Sequence, residues 1–530
     1  MKTVIGIDYG TQSARAVLVN AENGDVLCSH SYPYPHGVME GALVSAEDYE
    51  NALTELLGAV TPAQYRHTVS GICVDATSLT LVPLTKELQI PERLPQYADR
   101  VHGKIKLWKR HTAQKQAQEA LELAKQMGEP FVARMGNSLS SEWTLPKLLE
   151  IRDEDPEMYE NIDLAMDLCE FLTLRLTGKI TRSAASMGYK CLWARDLGFP
   201  SDAYLNGLRP GFAQEYRHLL RGEIYRPGEV AGYLCPQLCS QFGLSGNIPV
   251  AAGVIDGHTG AISLGAIHDG DAALVVGTSN VFAILTEELH TVEGICGITM
   301  DGYVPGLYGI ETGQSCTGDM LAWLLENAVG EQVQRQAREE GVSVHTLLAN
   351  RVKDPWQCSL TVLDWFNGSR NVPCDLSLTG TIAGMTLETK PEDIYLAMLQ
   401  AIACGTREIA ERCASNGVPI RRILATGGIT RKNPLLMQQY ADILQMPVIV
   451  GMVEEGPAMG AAIYAAVAGG VYRNLQEACD HMGVQEFTAY TPDAQHRADY
   501  DAIYQRNHTL RLAVQAWKNE AVQTAQNAGE

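Results

Sequence analysis

Positive charge is scarce in this chain. Its 41 lysines and arginines stand against 62 aspartates and glutamates, a net charge of −21. That deficit excludes general binding to nucleic acid or to an anionic membrane surface, both of which need a basic face. No apolar run approaches the roughly 18 residues that a membrane-crossing helix requires. Met1-Lys2-Thr3 leads straight into an apolar run, with neither the charged nor the apolar region of a secretory leader, so a cytoplasmic protein is expected. The thirteen cysteines show no metal-ligand spacing. Cys235 and Cys239 have no second pair at a matching distance, which argues against a zinc site and for reduced, mostly buried thiols.

What the chain does have is length and a repeated hairpin. At 530 residues it exceeds what one core supports, and its 46% hydrophobic and 19% charged content is that of a soluble globular protein. Val4-Ile5-Gly6-Ile7 reads as a buried strand ending in Asp8. Gly10 and the hydroxyls of Thr11 and Ser13 follow, then a second apolar run, Ala16 to Val19. Such a tip offers N–H groups and hydroxyls to a phosphate and a carboxylate to Mg²⁺; an ordinary glycine turn fits the stretch equally well. A second copy decides between them. Residues 273–285 repeat strand, Gly277-Thr278-Ser279-Asn280, strand. Two such hairpins half a chain apart predict an internally duplicated, actin-like α/β fold with a phosphate-gripping hairpin in each half. The domain boundary is placed near 265, giving domains 1–265 and 266–530.

Along the chain, Val69 to Asp75 reads as a buried strand, and Asp75 sits at the carboxyl end where α/β ligands collect. Residues 105–126 read as a helix opening on a basic cluster, 106–111, of the kind usually found on a solvated face. Helices are expected at 142–152, 163–177 and 391–416. Ser183 to Trp193 reads as loop-to-strand with a lone Lys190, and 494–525 as a polar capping or exposed helix. Ile248 to Ile255 reads as a strand delivering Asp256 beside Gly257. Phosphoryl transfer to an alcohol needs a carboxylate to accept the hydroxyl proton, and a strand-end Asp suits that task; a turn or capping Asp is the plainer local reading. The Gly427-Gly428 pair after a strand, with Asn433 opening a helix, lets backbone lie against a nucleotide. The small-residue helix from Gly456 permits close packing beside it.

Taken in order, Asp8-Tyr9-Gly10-Thr11, Asp256-Gly257-His258, Gly277-Thr278-Ser279, Thr426-Gly427-Gly428 with Asn433, and Ala458-Met459-Gly460-Ala461-Ala462 resemble the motif set of the FGGY carbohydrate kinases, from residue 4 to about residue 510. KLWKRH (106–111), SSEWTLPK (140–147), GYKCLW (188–193), GIETGQSCTGD (309–319), LDWFNGSR (363–370) and GGITRKNPLLMQ (427–438) resemble the L-ribulokinase branch. The resemblance implies two actin-like (ribonuclease H-like) domains with ATP in the cleft. It implies transfer of the γ-phosphoryl group of Mg²⁺-ATP to a ketopentose, L-ribulose first, as in arabinose catabolism. It makes Asp256 the base and puts Asp8 on Mg²⁺. Gly10, Thr11, Ser13, Gly277 and Thr278 would lie at the phosphates, and Gly427, Gly428 and Asn433 at the adenosine. Ser78, Lys190, Asp256 and Glu311 would contact the sugar; for Lys190 a surface lysine fits as well. A homodimer is family habit. The chain departs from the ribulokinase pattern at Ala76 and Gly257, beside the expected sugar pocket. Alternatives are an FGGY kinase for D-ribulose, xylulose or a polyol, and an actin-like ATP-binding regulator without a sugar.

Overall fold

The computed structural model describes the backbone of residues 1–529 and the side chains of residues 1–520. Its contacts divide the chain into two units, each assembled from separated segments. One comprises 1–269, 285–310 and 455–484; the other comprises 270–284, 311–454 and the chain from 485 onward.

The first unit is built on the hairpin of Thr3–Tyr9 and Ser13–Asn20, extended antiparallel by Val26–Pro33. On its other side Thr3–Tyr9 pairs in parallel with Val69–Ala76, and that strand pairs in parallel with Pro249–Ala251 and Val254–Ile255. Thr3–Tyr9 is buried along its whole length, which is why it reads as a continuous apolar run instead of an alternating one. Ile5, Ile7, Val74 and Leu172 are among the residues that fill the core on one face. Helix Gly456–Ala468 lies directly on the sheet. A Cβ on Gly6 would fall 1.9 Å from the Ala458 carbonyl oxygen, and one on Gly71 would fall 2.2 Å from that of Ala465. The small residues of 456–468 therefore serve a backbone-to-backbone contact with this sheet.

The second unit repeats the plan. Asp271–Val276 and Asn280–Thr286 form the hairpin, Asp271–Val276 pairs in parallel with Arg422–Thr426, and Val448–Gly451 and Phe487–Tyr490 continue the sheet. Helices Pro391–Ser415 and Pro434–Leu444 pack together, and helix Arg497–Gly529 packs on both. A hairpin with parallel strands added on one side, present twice, is the actin-like, ribonuclease H-like arrangement.

Three local expectations fail. The helix expected over 163–177 begins only at Leu168, because Leu164–Asp167 is a strand. Residues 105–113 are not helical: Ile105–Lys106 is a short strand paired with Leu43–Val44 and Leu81, and the helix begins at Gln114. Ser183 to Trp193 contains the helix Ala184–Lys190, buried on every side, so no amphipathic period marks it. The C-terminal helix is of the capping kind of the two expected: Tyr500, Ile503, Tyr504, Asn507 and Arg511 are buried. The thirteen cysteines are all free thiols, most of them buried, as expected.

Candidate active site

In the first unit three adjacent strands each deliver one carboxylate at the carboxyl edge of the sheet. Asp8 and Asp75 are direct register partners, and Val254 pairs with Asp75, so that Asp256 follows one step beyond Ile255. Asp8 and Asp75 are buried, and neither oxygen of Asp75 has a hydrogen-bond donor among the described residues. Burial, then the Asp8 charge and then that of Asp256, hold the Asp75 carboxyl well above the usual range. Asp8 is also raised, because burial outweighs the facing Arg15, whose Nε lies 3.2 Å from Asp8 Oδ2. Arg15 Nη1 reaches Glu455 Oε2 at 3.0 Å. Among the described residues no cluster of three ligating side chains forms a metal cage. Mg²⁺ seldom uses one; it takes one or two carboxylates and completes its shell with phosphate and water. The buried pair Asp8 and Asp75, with its unmatched oxygens, fits such an ion.

Asp256 opens helix Asp256–Ser263, is half-buried, and accepts the Gly257 N–H at 2.7 Å through Oδ1. Next to it, the buried His258 stacks on Tyr303, ring centroids 4.9 Å apart, and meets Tyr189 at 5.0 Å. Tyr189 O–H donates to the Gly309 carbonyl at 2.7 Å. Lys190 ends the same helix as Tyr189. It is buried, not a surface lysine, with its ammonium 5.5 Å from the Tyr189 ring centroid. Ser78 sits half-buried in the turn after Val69–Ala76, where Thr77 N–H donates to Tyr9 O at 2.9 Å. Lys147 Nζ holds that turn by donating to Leu79 O at 2.7 Å, and it ties in Leu107 O at 3.2 Å. At the first hairpin tip Gly10 N–H donates to Ser13 O at 3.0 Å, and the Thr11 hydroxyl accepts Trp108 Nε1–H at 3.2 Å.

In the second unit the tip is one residue shorter: Gly277 N–H donates to Ser279 O at 2.8 Å, and Thr278 is exposed. The start of helix Gly318–Asn327 clasps it from behind. Thr317 N–H donates to Thr278 O at 2.8 Å, Thr317 Oγ1 to Gly277 O at 2.8 Å, and Gly318 N–H to Gly277 O at 3.1 Å. Gly427, at φ 117°, packs on the residue before the tip; a Cβ there would fall 2.2 Å from Val276 O. Gly428 faces open space. Asn433 uses its side chain structurally, capping Pro434–Leu444 through the Leu436 N–H and donating to Tyr395 Oη at 2.8 Å. Glu311 lies half-buried on strand Tyr308–Gln314.

The chain matches the N-terminal domain of the FGGY family of carbohydrate kinases over residues 3–263 and its C-terminal domain over residues 272–469. The chain belongs to the FGGY family of carbohydrate kinases. This FGGY kinase is similar to a ribulokinase of Halalkalibacterium halodurans, 38% identical over 96% of this chain and 94% of that one. It is 36% identical to a ribulokinase of Mycolicibacterium smegmatis over 95% of this chain and 92% of that one. Among solved structures, a xylulose kinase from Rhodospirillum rubrum has the same fold, with a TM-score of 0.78 at 22% identity over 97% of this chain and 99% of that one. Ligand-bound xylulose kinase from Lactobacillus acidophilus has a TM-score of 0.80 at 18% identity over the same shares.

Several residues of this kinase's site carry no role in the sequence reading. Asp75 is legible as a strand end, but its pairing with Asp8 follows only from strand order. Arg15 is readable as the cross-hairpin partner of Asp8, since a short tip fixes the register. Glu455 has no such signal, because it reaches Arg15 from 440 residues away. The basic cluster 106–111 is not a solvated face: Lys106 and Arg110 are buried, and Trp108 reaches the hairpin.

Proposed function

We propose that this kinase transfers the γ-phosphoryl group of Mg²⁺-ATP to the terminal hydroxyl of a ketopentose, with L-ribulose the expected substrate. The identity to ribulokinases over nearly the whole chain carries this reading. The strand-end placement of Asp256 supports its chemistry. Asp256 accepts the hydroxyl proton as the alkoxide forms, and its Oδ1–Gly257 hydrogen bond orients the carboxylate for that step. Lys190 and Glu311 hydrogen-bond sugar hydroxyls, with Ser78 in the turn held by Lys147. The N–H groups and hydroxyls at Gly10, Thr11, Ser13, Gly277 and Thr278 bind phosphate oxygens, and Gly427 and Gly428 let backbone lie against the nucleotide. Asn433 borders that surface as a helix cap. Asp8 and Asp75 would hold Mg²⁺, which when bound would neutralise phosphoryl charge. A cytoplasmic location accords with this activity, which consumes ATP and yields a phosphorylated sugar.

An ADP-release assay with Mg²⁺-ATP across L-ribulose, D-ribulose, L-xylulose, D-xylulose, ribitol and glycerol tests the reading. The expected result is highest kcat/KM for L-ribulose, and turnover in Asp256→Asn lowered by about 10²- to 10⁴-fold with nucleotide binding retained. Wild-type turnover in Asp256→Asn rejects the base assignment. Preference for another sugar places the error at Ala76 and Gly257.

A further inference from the structure

Two stretches that mark the family branch, 309–319 and 363–370, and the whole helix Arg497–Gly529 contribute little beyond Glu311 to the chemistry above. In the second unit they meet in one buried chain of hydrogen bonds. Arg511 Nη2, on the C-terminal helix, donates to Asp364 Oδ1, and the guanidinium lies 5.1 Å from the Trp365 ring centroid. Gln314 Nε2 donates to Asp364 Oδ2 at 2.5 Å and to Ile402 O at 3.0 Å. Gln314 Oε1 accepts from Asn280 Nδ2 at 2.5 Å and from Thr406 Oγ1 at 2.7 Å, while Gln314 N–H donates to Asn280 Oδ1 at 2.6 Å. Asn280 immediately follows the tip Gly277-Thr278-Ser279. Asn280, Gln314, Asp364, Thr406 and Arg511 are all buried. Gly405 leaves room for the junction: a Cβ there would fall 2.3 Å from Gln314 Nε2 and 2.8 Å from Asp364 Oδ2.

The bond directions along this chain agree with one another from end to end. Asp364 Oδ2 and the Ile402 carbonyl both accept from Gln314 Nε2, so the amide turns its NH₂ to them and its oxygen to Asn280. Asn280 must then present its NH₂ to that oxygen and its own oxygen to the Gln314 backbone. Arg511 holds Asp364 in place, and so steadies the orientation of two amides beyond it. The same stretch, through Thr317 and Gly318, clasps the Gly277 and Thr278 carbonyls. The tip is gripped on both sides by residues 314–318.

We propose that Arg511 is a positioning residue for the second phosphate hairpin, acting through Asp364 and Gln314 on Asn280, and that this is what the C-terminal helix contributes to phosphoryl transfer. The proposal rests on the reading of that hairpin as a phosphate site. The test compares the full-length wild type with Arg511→Lys and with the double variant Asp364→Leu/Arg511→Met, which leaves no buried charge unpaired. Calorimetry measures Kd for Mg²⁺-ADP, and turnover measures KM for L-ribulose. The double variant is expected to raise the Mg²⁺-ADP Kd at least about tenfold, the scale of one charged hydrogen bond, with Arg511→Lys intermediate and the sugar KM unchanged. A folded double variant with wild-type Mg²⁺-ADP affinity overturns the proposal. So does an equal rise in both constants, the mark of general loosening. If the double variant does not fold, Arg511→Lys decides: wild-type Mg²⁺-ADP affinity overturns the proposal, and weaker nucleotide binding at unchanged sugar KM supports it. The Kd needs no sugar turnover, so a wild type that binds Mg²⁺-ADP but phosphorylates no ketose rejects the function and leaves hairpin positioning to the Kd ratios.

Discussion

Lys106 and Lys147 lie wholly inside the first unit, and each ammonium donates to two backbone carbonyls: Lys106 to His102 O and Lys104 O, Lys147 to Leu79 O and Leu107 O. Burial first, then the nearby Arg110 charge, brings the Lys106 ammonium down to about 7, and burial brings Lys147 down to about 8. The unfolded chain keeps both near 10.4, so between those values it binds more protons than the native state, and stability rises with pH from about 7 to about 10. In Lys106→Met that rise should be shallower by up to about 1.4 kcal/mol per pH unit, the value of one proton. Urea unfolding at pH 7, 8, 9 and 10 checks it; identical slopes in the two proteins count against a neutral Lys106. The sequence hid this because KLWKRH has the composition of a wet surface. The carbonyls that accept from Lys147 come from distant turns, and local pattern contains no trace of them. Asp256 was legible for the opposite reason: an apolar run followed by Asp-Gly announces a strand end by itself.

At the scale of elements, what could be read was what repeats or alternates. Both hairpins, the helix Pro391–Ser415 and the strand Val69–Ala76 carry their own period or apolar run. Ile105–Lys106 does not, since two residues become a strand only by pairing with Leu43–Val44 and Leu81. Helix Gly456–Ala468 shows the reverse, a plain helical pattern whose packing partner the local sequence does not reveal. Its small residues answer Gly6 and Gly71 across the interface, with no space left for a methyl group. Gly6→Ala should therefore destabilise by about 1–3 kcal/mol or more through overpacking against backbone. Gly428→Ala, where nothing lies within 4 Å, should leave stability within about 0.5 kcal/mol and act on nucleotide affinity instead. Denaturant midpoints of the two variants, measured side by side, separate these outcomes; equal losses contradict the close-contact account.

For the molecule as a whole, the units interleave along the chain. Residues 455–484 return to the first unit after nearly two hundred residues spent mainly in the second. The sheet of the first unit is therefore incomplete in a fragment of residues 1–269, which lacks the helix covering Gly6 and Gly71 and the Glu455 partner of Arg15. Such a fragment should be poorly soluble, or lack a cooperative thermal transition by circular dichroism. A fragment that melts cooperatively and runs as a compact monomer contradicts this. Duplication was readable from the two Gly-Thr tips. The interleaving was not, because it depends on which sheet a helix far along the chain chooses to cover.

The ion pair from Arg15 to Glu455 spans 440 residues of sequence. A ribosome adding about 5–20 residues per second needs roughly 20–90 s to make that stretch. For that interval the first strands made have no helix above them, and the bare backbone at Gly6 and Gly71 faces whatever else is in the cell. The birth of this protein thus includes a waiting period, and a holding chaperone that binds uncovered sheet would find its substrate early in synthesis and lose it when the helix Gly456–Ala468 emerges.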